Sequence, residues 1–130
     1  MRAEELQHLL DTSAVHRTLE LRARAAEEGV VLDATPSDEH SIGGGVVHGG
    51  VVATMLDTAA SFALIEETGT DWSTIDLRVD YLRPVPIARL EVRGRVTQVG
   101  SRFGRARAEL ADPRTGKLLA EAVGTFARNR

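Results

Sequence analysis

Apolar residues fill nearly every position between 51 and 65, whereas most other segments alternate between apolar and polar residues. A helix that is apolar on all faces is typical of an element buried on all sides. The pattern therefore predicts one long buried helix over 49–68. Gly69 is well placed to end it, because glycine accepts the left-handed conformation at a helix C-terminus.

Shorter patterns predict the elements around this helix. Residues 3–15 have the apolar spacing of a short amphipathic helix. Alternating segments bounded by turn residues predict six strands, over residues 18–25, 30–35, 73–82, 87–99, 102–111 and 117–128. A single antiparallel sheet curled around the helix would bury it on most sides. Such a sheet keeps open edges, which favours a symmetric dimer.

Length and composition restrict the class of protein. The 130 residues fit one domain over 1–130, with residues 1–16 as a helical extension. The absence of cysteine excludes disulfides, thiolate catalysis and cysteine-based zinc sites. The four histidines show no metal-ligand spacing, so we expect no metal site. No signal pattern opens the chain, and Asp57 interrupts its longest apolar run, so we expect a cytoplasmic protein without a membrane span.

Charge is unevenly distributed along the chain. Residues 1–77 carry 4 basic and 14 acidic side chains, whereas residues 78–130 carry 12 basic and 5 acidic ones. A basic half could meet phosphate groups. The arginines of residues 89–107 nevertheless alternate with apolar residues, as on the solvated face of a sheet. Five aromatic residues and no binding motif argue against a nucleic-acid partner.

A polar stripe runs along the apolar helix. Residues spaced three or four apart share one helix face, and here they are small or polar: Gly50, Thr54, Asp57 and Ser61. A buried carboxylate is costly unless it is paired or takes part in chemistry. The alternative is a buried carboxylate that merely bonds to local hydroxyls.

Glycines and a histidine precede the helix. The P-loop pattern requires a lysine after its last glycine, but Val51 follows Gly50 here, and the dinucleotide pattern requires a glycine where His48 stands. Free amides at such a helix start can bind an anion or a polarised carbonyl oxygen. A tight turn is the alternative interpretation. His48 is predicted to hydrogen-bond at the helix start, with a general-base role as the alternative.

These motifs resemble the hotdog-fold acyl-CoA thioesterases, and most closely the phenylacetic-acid-degradation (PaaI-like) type. The resemblance rests on His48-Gly49-Gly50, Asp57, residues 74–84, Gly100 and residues 116–126. It implies an α+β hotdog fold, in which a curved antiparallel sheet of about six strands wraps one long central helix beside a short N-terminal helix. It also implies hydrolysis of acyl-CoA to a free acid and CoA without a cofactor, since CoA is part of the substrate.

The resemblance assigns roles to individual residues. Asp57 would attack the thioester carbonyl or activate the attacking water, and the Gly49 amide would donate to the thioester oxygen. Predicted substrate contacts are His48, Gly50, Ser61, which would line the acyl pocket, and Thr74, which would orient the water. Candidate contacts to the CoA phosphates are Arg83 and Arg102. Further candidates for the pocket lining are Met55, Phe62, Ile65 and Trp72, which favour apolar acyl chains or aryl groups.

One position departs from the pattern of related enzymes. They often carry asparagine or glutamine about six residues before the histidine, where this chain has Ile42. The departure supports an alternative function, that of a non-catalytic hotdog module which binds acyl-CoA as a sensor or carrier. A hydratase or dehydratase is a weaker third hypothesis, because its expected acid and histidine motifs are absent.

The spacing of Gly49 and Asp57 has a geometric consequence. Eight residues of helix correspond to a rise of about 12 Å. One thioester carbon, which must lie about 3 Å from both groups, cannot bridge that distance. If both residues act on the same bond, they come from different chains. We therefore expect a homodimer, or a dimer of dimers, with its site at the subunit interface.

Overall fold

A computed structural model describes residues 3–129 of the chain. Two short helices, α1 (Ala3–Asp11) and α2 (Ala14–Thr18), precede the strands β1 (Arg22–Arg24) and β2 (Val30–Ala34). A short 3-10 turn (Asp38–His40) then leads to the long helix α3 (Gly49–Thr68). Four long strands complete the chain, namely β3 (Trp72–Tyr81), β4 (Leu90–Val99), β5 (Phe103–Asp112) and β6 (Lys117–Arg128).

The six strands form one antiparallel sheet in the order β1-β2-β4-β5-β6-β3. Helix α3 packs against strands β2 to β6, and the core lies between the two layers. The predicted α+β architecture, one long helix wrapped by a curved antiparallel sheet, is therefore confirmed. Strand β3 lies at one edge of this sheet and pairs only with β6 among the described strands.

Helix α3 begins and ends where the sequence predicts. Gly69 has a φ of 72°, in the left-handed region, and its amide donates to the Ile65 carbonyl over 2.8 Å. The length and composition of α3 would also suit a membrane span. In this fold, however, α3 is the core helix, with most of its apolar side chains packed against the sheet.

Helix and sheet touch through their backbones at Gly94, in the middle of β4. A Cβ atom added there would lie 2.0 Å from the carbonyl oxygen of Ala59 on α3. Gly29, which lies just before β2, also approaches Gly94 closely, because a Cβ atom at Gly29 would lie 2.0 Å from the Gly94 carbonyl oxygen. The contact between Gly94 and Ala59 sets the distance between the helix and the sheet.

The N-terminal part of the chain differs from the prediction. The single helix predicted over 3–15 is two helices, because Ser13 leaves the helical conformation and its hydroxyl accepts the His16 amide at the start of α2. The strand predicted over 18–25 is reduced to Arg22–Arg24. Glu20, which has a φ of 50°, turns the chain between α2 and that strand.

Helix α3 is also less enclosed than the sequence predicts. The sheet leaves one face of the helix open, and that face is the polar stripe. Gly50 is exposed, and the other three members of the stripe, Thr54, Asp57 and Ser61, are half-buried. The expectation of burial on all sides is therefore wrong for the single chain, because one curved sheet cannot surround the helix completely.

Candidate active site

Asp57 lies on the open face of α3 and is held by a residue of strand β3. The hydroxyl of Thr74 donates to Asp57 Oδ1 over 2.7 Å. The register of β3 shifts between Thr74 and Asp76, and Thr74 lies opposite the buried Phe126 of β6. The irregularity thus places the Thr74 side chain on the face of the sheet that meets the helix.

The hydroxyls of Thr54 and Ser61, the neighbours of Asp57 on the polar stripe, donate to backbone carbonyls of the helix and not to Asp57. Thr54 Oγ1 donates to the Gly50 carbonyl over 3.0 Å, and Ser61 Oγ donates to the Thr58 carbonyl over 3.2 Å. Such back-bonding to the preceding turn is common for hydroxyls within helices. The hydroxyl that Asp57 binds therefore comes from β3 and not from its own helix.

The start of α3 leaves one backbone amide free. His48 caps the helix, because its Nδ1 accepts the Gly50 amide over 2.9 Å. The His48 carbonyl accepts the amides of Val51 and Val52, over 2.9 and 3.1 Å. Of the first four helical amides, only that of Gly49 has no partner within residues 3–129. It is available to an acceptor from outside the chain, in the favourable field of a helix N-terminus.

Sequence reasoning missed Tyr81, which contacts this helix start. The Tyr81 hydroxyl donates to the Gly49 carbonyl over 2.7 Å. Both residues line a cavity of about 350 Å³, to which Arg83 also contributes. The tyrosine lies within the motif over 74–84, but only the folded chain shows which element it meets. Strand β3 therefore contacts Asp57 near its start and Gly49 at its end.

The two candidate CoA arginines lie far apart in the single chain. Arg83 follows the end of β3, whereas Arg102 lies near the start of that strand, beside Phe103 and Arg128. Ten residues of strand span about 33 Å. The structure therefore does not bring both arginines to one ligand within one chain.

The remaining predicted residues divide into core and surface. Four candidates for the pocket lining are buried in the core of the chain: Met55, Phe62, Ile65 and Trp72. Within the single chain, these four are packing residues rather than pocket walls. Ile42, which stands where related enzymes often carry an amide side chain, is 65% exposed on the loop before α3. No group of three or more histidine or acidic residues that could hold a metal occurs among the described residues.

Sequence reasoning also missed His16 of α2, which packs beside the helical turn that carries Asp57. Its Nε2 lies 3.2 Å from Thr58 Oγ1, and its ring stands edge-on to Phe62, with the ring centroids 5.8 Å apart. Thr58 donates its own proton to the Thr54 carbonyl, so it accepts from His16. Burial lowers the pKa of His16, and the negative charge of Asp57 opposes this shift.

Comparison with known proteins identifies the class to which this fold and site belong. The sequence profile of the thioesterase superfamily matches residues 44–118, more than half of the chain. The chain therefore belongs to the thioesterase superfamily, with the hotdog architecture, and is a thioester hydrolase.

Individual relatives refine this assignment. Acyl-coenzyme A thioesterase 13 of Mus musculus is 27% identical over 103 residues, which cover 78% of this chain and 74% of that protein. The structure of a putative thioesterase related to phenylacetic acid degradation, from Ralstonia eutropha JMP134, has a TM-score of 0.81 and 29% identity, with 94% and 98% of the two chains covered. The E. coli PaaI structure shares the fold, with a TM-score of 0.87, 23% identity and 98% and 94% coverage. The predicted resemblance to thioesterases related to phenylacetic acid degradation is confirmed as a similarity, and the membership that is shown is that of the thioesterase superfamily.

Proposed function

We propose that this protein hydrolyses acyl-CoA to a free acid and CoA at a site shared by two copies of the chain. Asp57 of one copy would act on the thioester that the Gly49 amide of the other copy holds. The observation that carries this proposal is the arrangement along α3. The carboxylate and the free amide lie about 12 Å apart on one helix, and the amide has no partner within the described residues.

The free edge of β3 supports the pairing of two copies. This edge strand is ten residues long and carries the exposed side chains of Ile75 and Tyr81, and Leu82 follows directly after it, each more than half exposed. An unpaired apolar edge of this kind is a template for another strand. If two copies of β3 pair antiparallel about a two-fold axis, the Thr74 end of one meets the Tyr81 end of the other. That arrangement brings Asp57 towards Gly49 of the second copy.

Each of these residues has a task in the reaction. Asp57, oriented by Thr74, either attacks the thioester carbonyl carbon or takes a proton from the water that attacks it. Negative charge then develops on the carbonyl oxygen, and the Gly49 amide stabilises it through a hydrogen bond. The carbon–sulfur bond then breaks. When water is the nucleophile, the departing CoA thiolate takes up the proton that Asp57 removed from that water. When Asp57 is the nucleophile, the thiolate takes up a proton from solvent, and water hydrolyses the resulting mixed anhydride to the free acid and the Asp57 carboxylate. This scheme needs no resident cofactor, so we expect turnover to be unchanged by EDTA.

We propose that the CoA phosphates bind beside Arg102. This arginine lies 5.7 Å from the ring centroid of the exposed Phe103, and both line a cavity of about 290 Å³ together with Arg128. Two guanidinium groups next to an exposed aromatic ring suit a phosphorylated nucleotide. Within one chain, Arg83 and Arg102 lie at opposite ends of β3. In the proposed dimer, Arg83 of the second copy would approach the end of β3 at which Arg102 lies, so both arginines could reach one CoA.

A thiol-release assay with a panel of acyl-CoAs tests the proposed function. We expect Asp57→Asn to lower kcat by two or more orders of magnitude while the circular dichroism spectrum stays unchanged. An Asp57→Asn protein with turnover within about threefold of wild type would exclude Asp57 as the catalytic group.

Mixed dimers test the shared site. An equimolar mixture of Asp57→Asn and Gly49→Pro chains, refolded together, should regain about a quarter of wild-type activity. Half of the dimers are then mixed, and each mixed dimer holds one site with both groups intact. If the mixture is no more active than its parents, the two groups do not act across an interface.

Ile42 favours a second candidate function, an acyl-CoA-binding module without catalysis. Its exposed apolar side chain stands where related enzymes often carry an amide. Isothermal titration with a non-hydrolysable acyl-CoA thioether separates the two functions. Binding without any thiol release from the matching acyl-CoA would support the module, and turnover that depends on Asp57 would exclude it.

A further inference from the structure

The peptide between Gly49 and Gly50 is held at both of its ends. Its carbonyl oxygen accepts the Tyr81 hydroxyl over 2.7 Å, and its amide donates to His48 Nδ1 over 2.9 Å. The two partners come from different elements, because Tyr81 ends the edge strand β3 and His48 precedes α3. A peptide between two glycines has more conformational freedom than any other, so two bonds on a single peptide restrain it strongly.

This restraint extends to the neighbouring amide. The Gly49 N–H belongs to the preceding peptide, whose His48 carbonyl accepts the amides of Val51 and Val52. With the peptides on both sides of Gly49 held, the φ and ψ of Gly49 are restrained, and with them the direction of its N–H. The Tyr81 side chain also packs beside Gly49, since a Cβ atom there would lie 3.5 Å from the Tyr81 hydroxyl oxygen and 3.6 Å from two ring atoms, which are ordinary van der Waals distances. A donor that already points in the right direction requires no reorganisation when charge develops on its acceptor.

We propose that Tyr81 is a positioning residue for the oxyanion donor. Its hydroxyl orients the Gly49 amide through the adjoining peptide, together with the His48 cap. The inference rests on the proposed function, in which that amide receives the thioester oxygen. Tyr81 acts on the helix start of its own chain, and therefore on the half of the site that the second copy's Asp57 completes.

The exposure of Tyr81 separates this role from a structural one. In the single chain the side chain is 53% exposed and its hydroxyl bonds to the Gly49 carbonyl outside the core. The proposed pairing of β3 would cover part of the ring, which Tyr81→Phe keeps. Removing such a hydroxyl leaves the packing of the core intact, so little loss of stability is expected. A loss of kcat at unchanged stability would therefore report on the site.

Tyr81→Phe is the direct test, because it keeps the ring and deletes only the hydroxyl. We expect kcat to fall about tenfold while KM stays within about twofold, since the oxyanion forms only in the transition state. Ser73→Ala is the matched control. It deletes another exposed hydroxyl of β3, which donates to Asn129 Oδ1 over 2.7 Å, and we expect it to leave kcat unchanged.

The same assays distinguish a failure of the catalytic role of Asp57 from a failure of the positioning role of Tyr81. If Asp57→Asn retains activity, the proposed function fails. If Asp57→Asn is inactive and Tyr81→Phe has the kcat of wild type, the positioning role alone is overturned.

Mixed dimers add a measurement that a general structural role would not change. In a dimer of one Tyr81→Phe chain and one Asp57→Asn chain, one site combines an intact Asp57 with an intact Tyr81–Gly49 pair. We therefore expect the equimolar mixture to exceed the mean activity of its two parents about fivefold. A mixture equal to that mean would overturn the assignment of Tyr81 to the Gly49 side of the site.

Discussion

The free amide of Gly49 can be removed without removing the helix. Gly49→Pro deletes the N–H, and proline is well tolerated at the first position of a helix, where the amide has no intrahelical partner. The residue before a proline must be extended, and His48 already is, with a φ of −58° and a ψ of 136°. Gly49→Ala is the matched control, because it keeps the amide. Its Cβ atom would lie 3.5 Å from the Tyr81 hydroxyl oxygen, an ordinary van der Waals contact.

The size of the effect follows from the number of donors at the helix start. His48 occupies the other early amides of α3, so the loss of the Gly49 N–H leaves no free donor among them within the described residues. Removing one donor from an oxyanion site costs about 2.7–4 kcal/mol in the transition state, or about 10²- to 10³-fold in kcat. We therefore expect Gly49→Pro to lose about 100-fold or more, and Gly49→Ala to stay within about threefold of wild type.

The assay is steady-state thiol release at saturating acyl-CoA, with thermal unfolding of both variants as the check on folding. The prediction requires that the two variants unfold at similar temperatures and differ in kcat. If both retain wild-type kcat, the Gly49 amide does not stabilise the oxyanion. If both lose kcat equally, the small size of Gly49 matters rather than its hydrogen bond, and the reasoning is also refuted.

Three further predictions concern contacts around the site. Thr74→Val keeps the shape of the side chain and deletes the hydrogen-bond donor to Asp57. We expect kcat to fall about tenfold, because a hydrogen bond to a charged group is lost. An unchanged kcat would remove Thr74 from the mechanism. Burial lowers the pKa of His16, so the unfolded chain binds its proton first and stability declines as the pH falls below about 6.5. His16→Gln should therefore flatten the fall in urea-unfolding free energy between pH 7.5 and 5.5, and an unaltered slope would contradict this. Gly94→Ala should destabilise the fold by about 2–4 kcal/mol in the same urea titration, because its Cβ would overlap the Ala59 carbonyl, and a loss below about 0.5 kcal/mol would show that the layers separate easily.

The elements with a strong local signal could be predicted from the sequence. The apolar run and Gly69 determine both ends of α3, because a continuous apolar face and a left-handed C-terminal glycine are properties of the local chain. The ends of the long strands after the helix lie within about three residues of the prediction, because alternating segments bounded by turn residues are also a local signal. The strand predicted over 18–25 is shortened because α2, which Ser13 caps, extends to Thr18, and Glu20 turns the chain before β1 begins at Arg22.

Contacts between distant segments could not be predicted in this way. The bond from Thr74 to Asp57 depends on an irregularity in the register of β3, which no local pattern encodes. Tyr81 and His16 approach α3 from elements 32 and 42 residues away in sequence from their partners. The sequence marked the residues on the helix itself, and the family resemblance named Thr74 for orienting the water. The bonds by which Thr74 and Tyr81 hold Asp57 and Gly49 became visible only when the elements were packed together.

The contact between Gly94 and Ala59 limits how acyl selectivity could be redesigned in this protein. Main-chain atoms of α3 and β4 meet there, so the radii of those atoms determine how closely the layers approach. Asp57 lies two residues before Ala59 and is held at a constant depth relative to the sheet. An engineer who wishes to admit a bulkier acyl group would have to change side chains on the open face, such as Ser61, and leave the helix axis where it is.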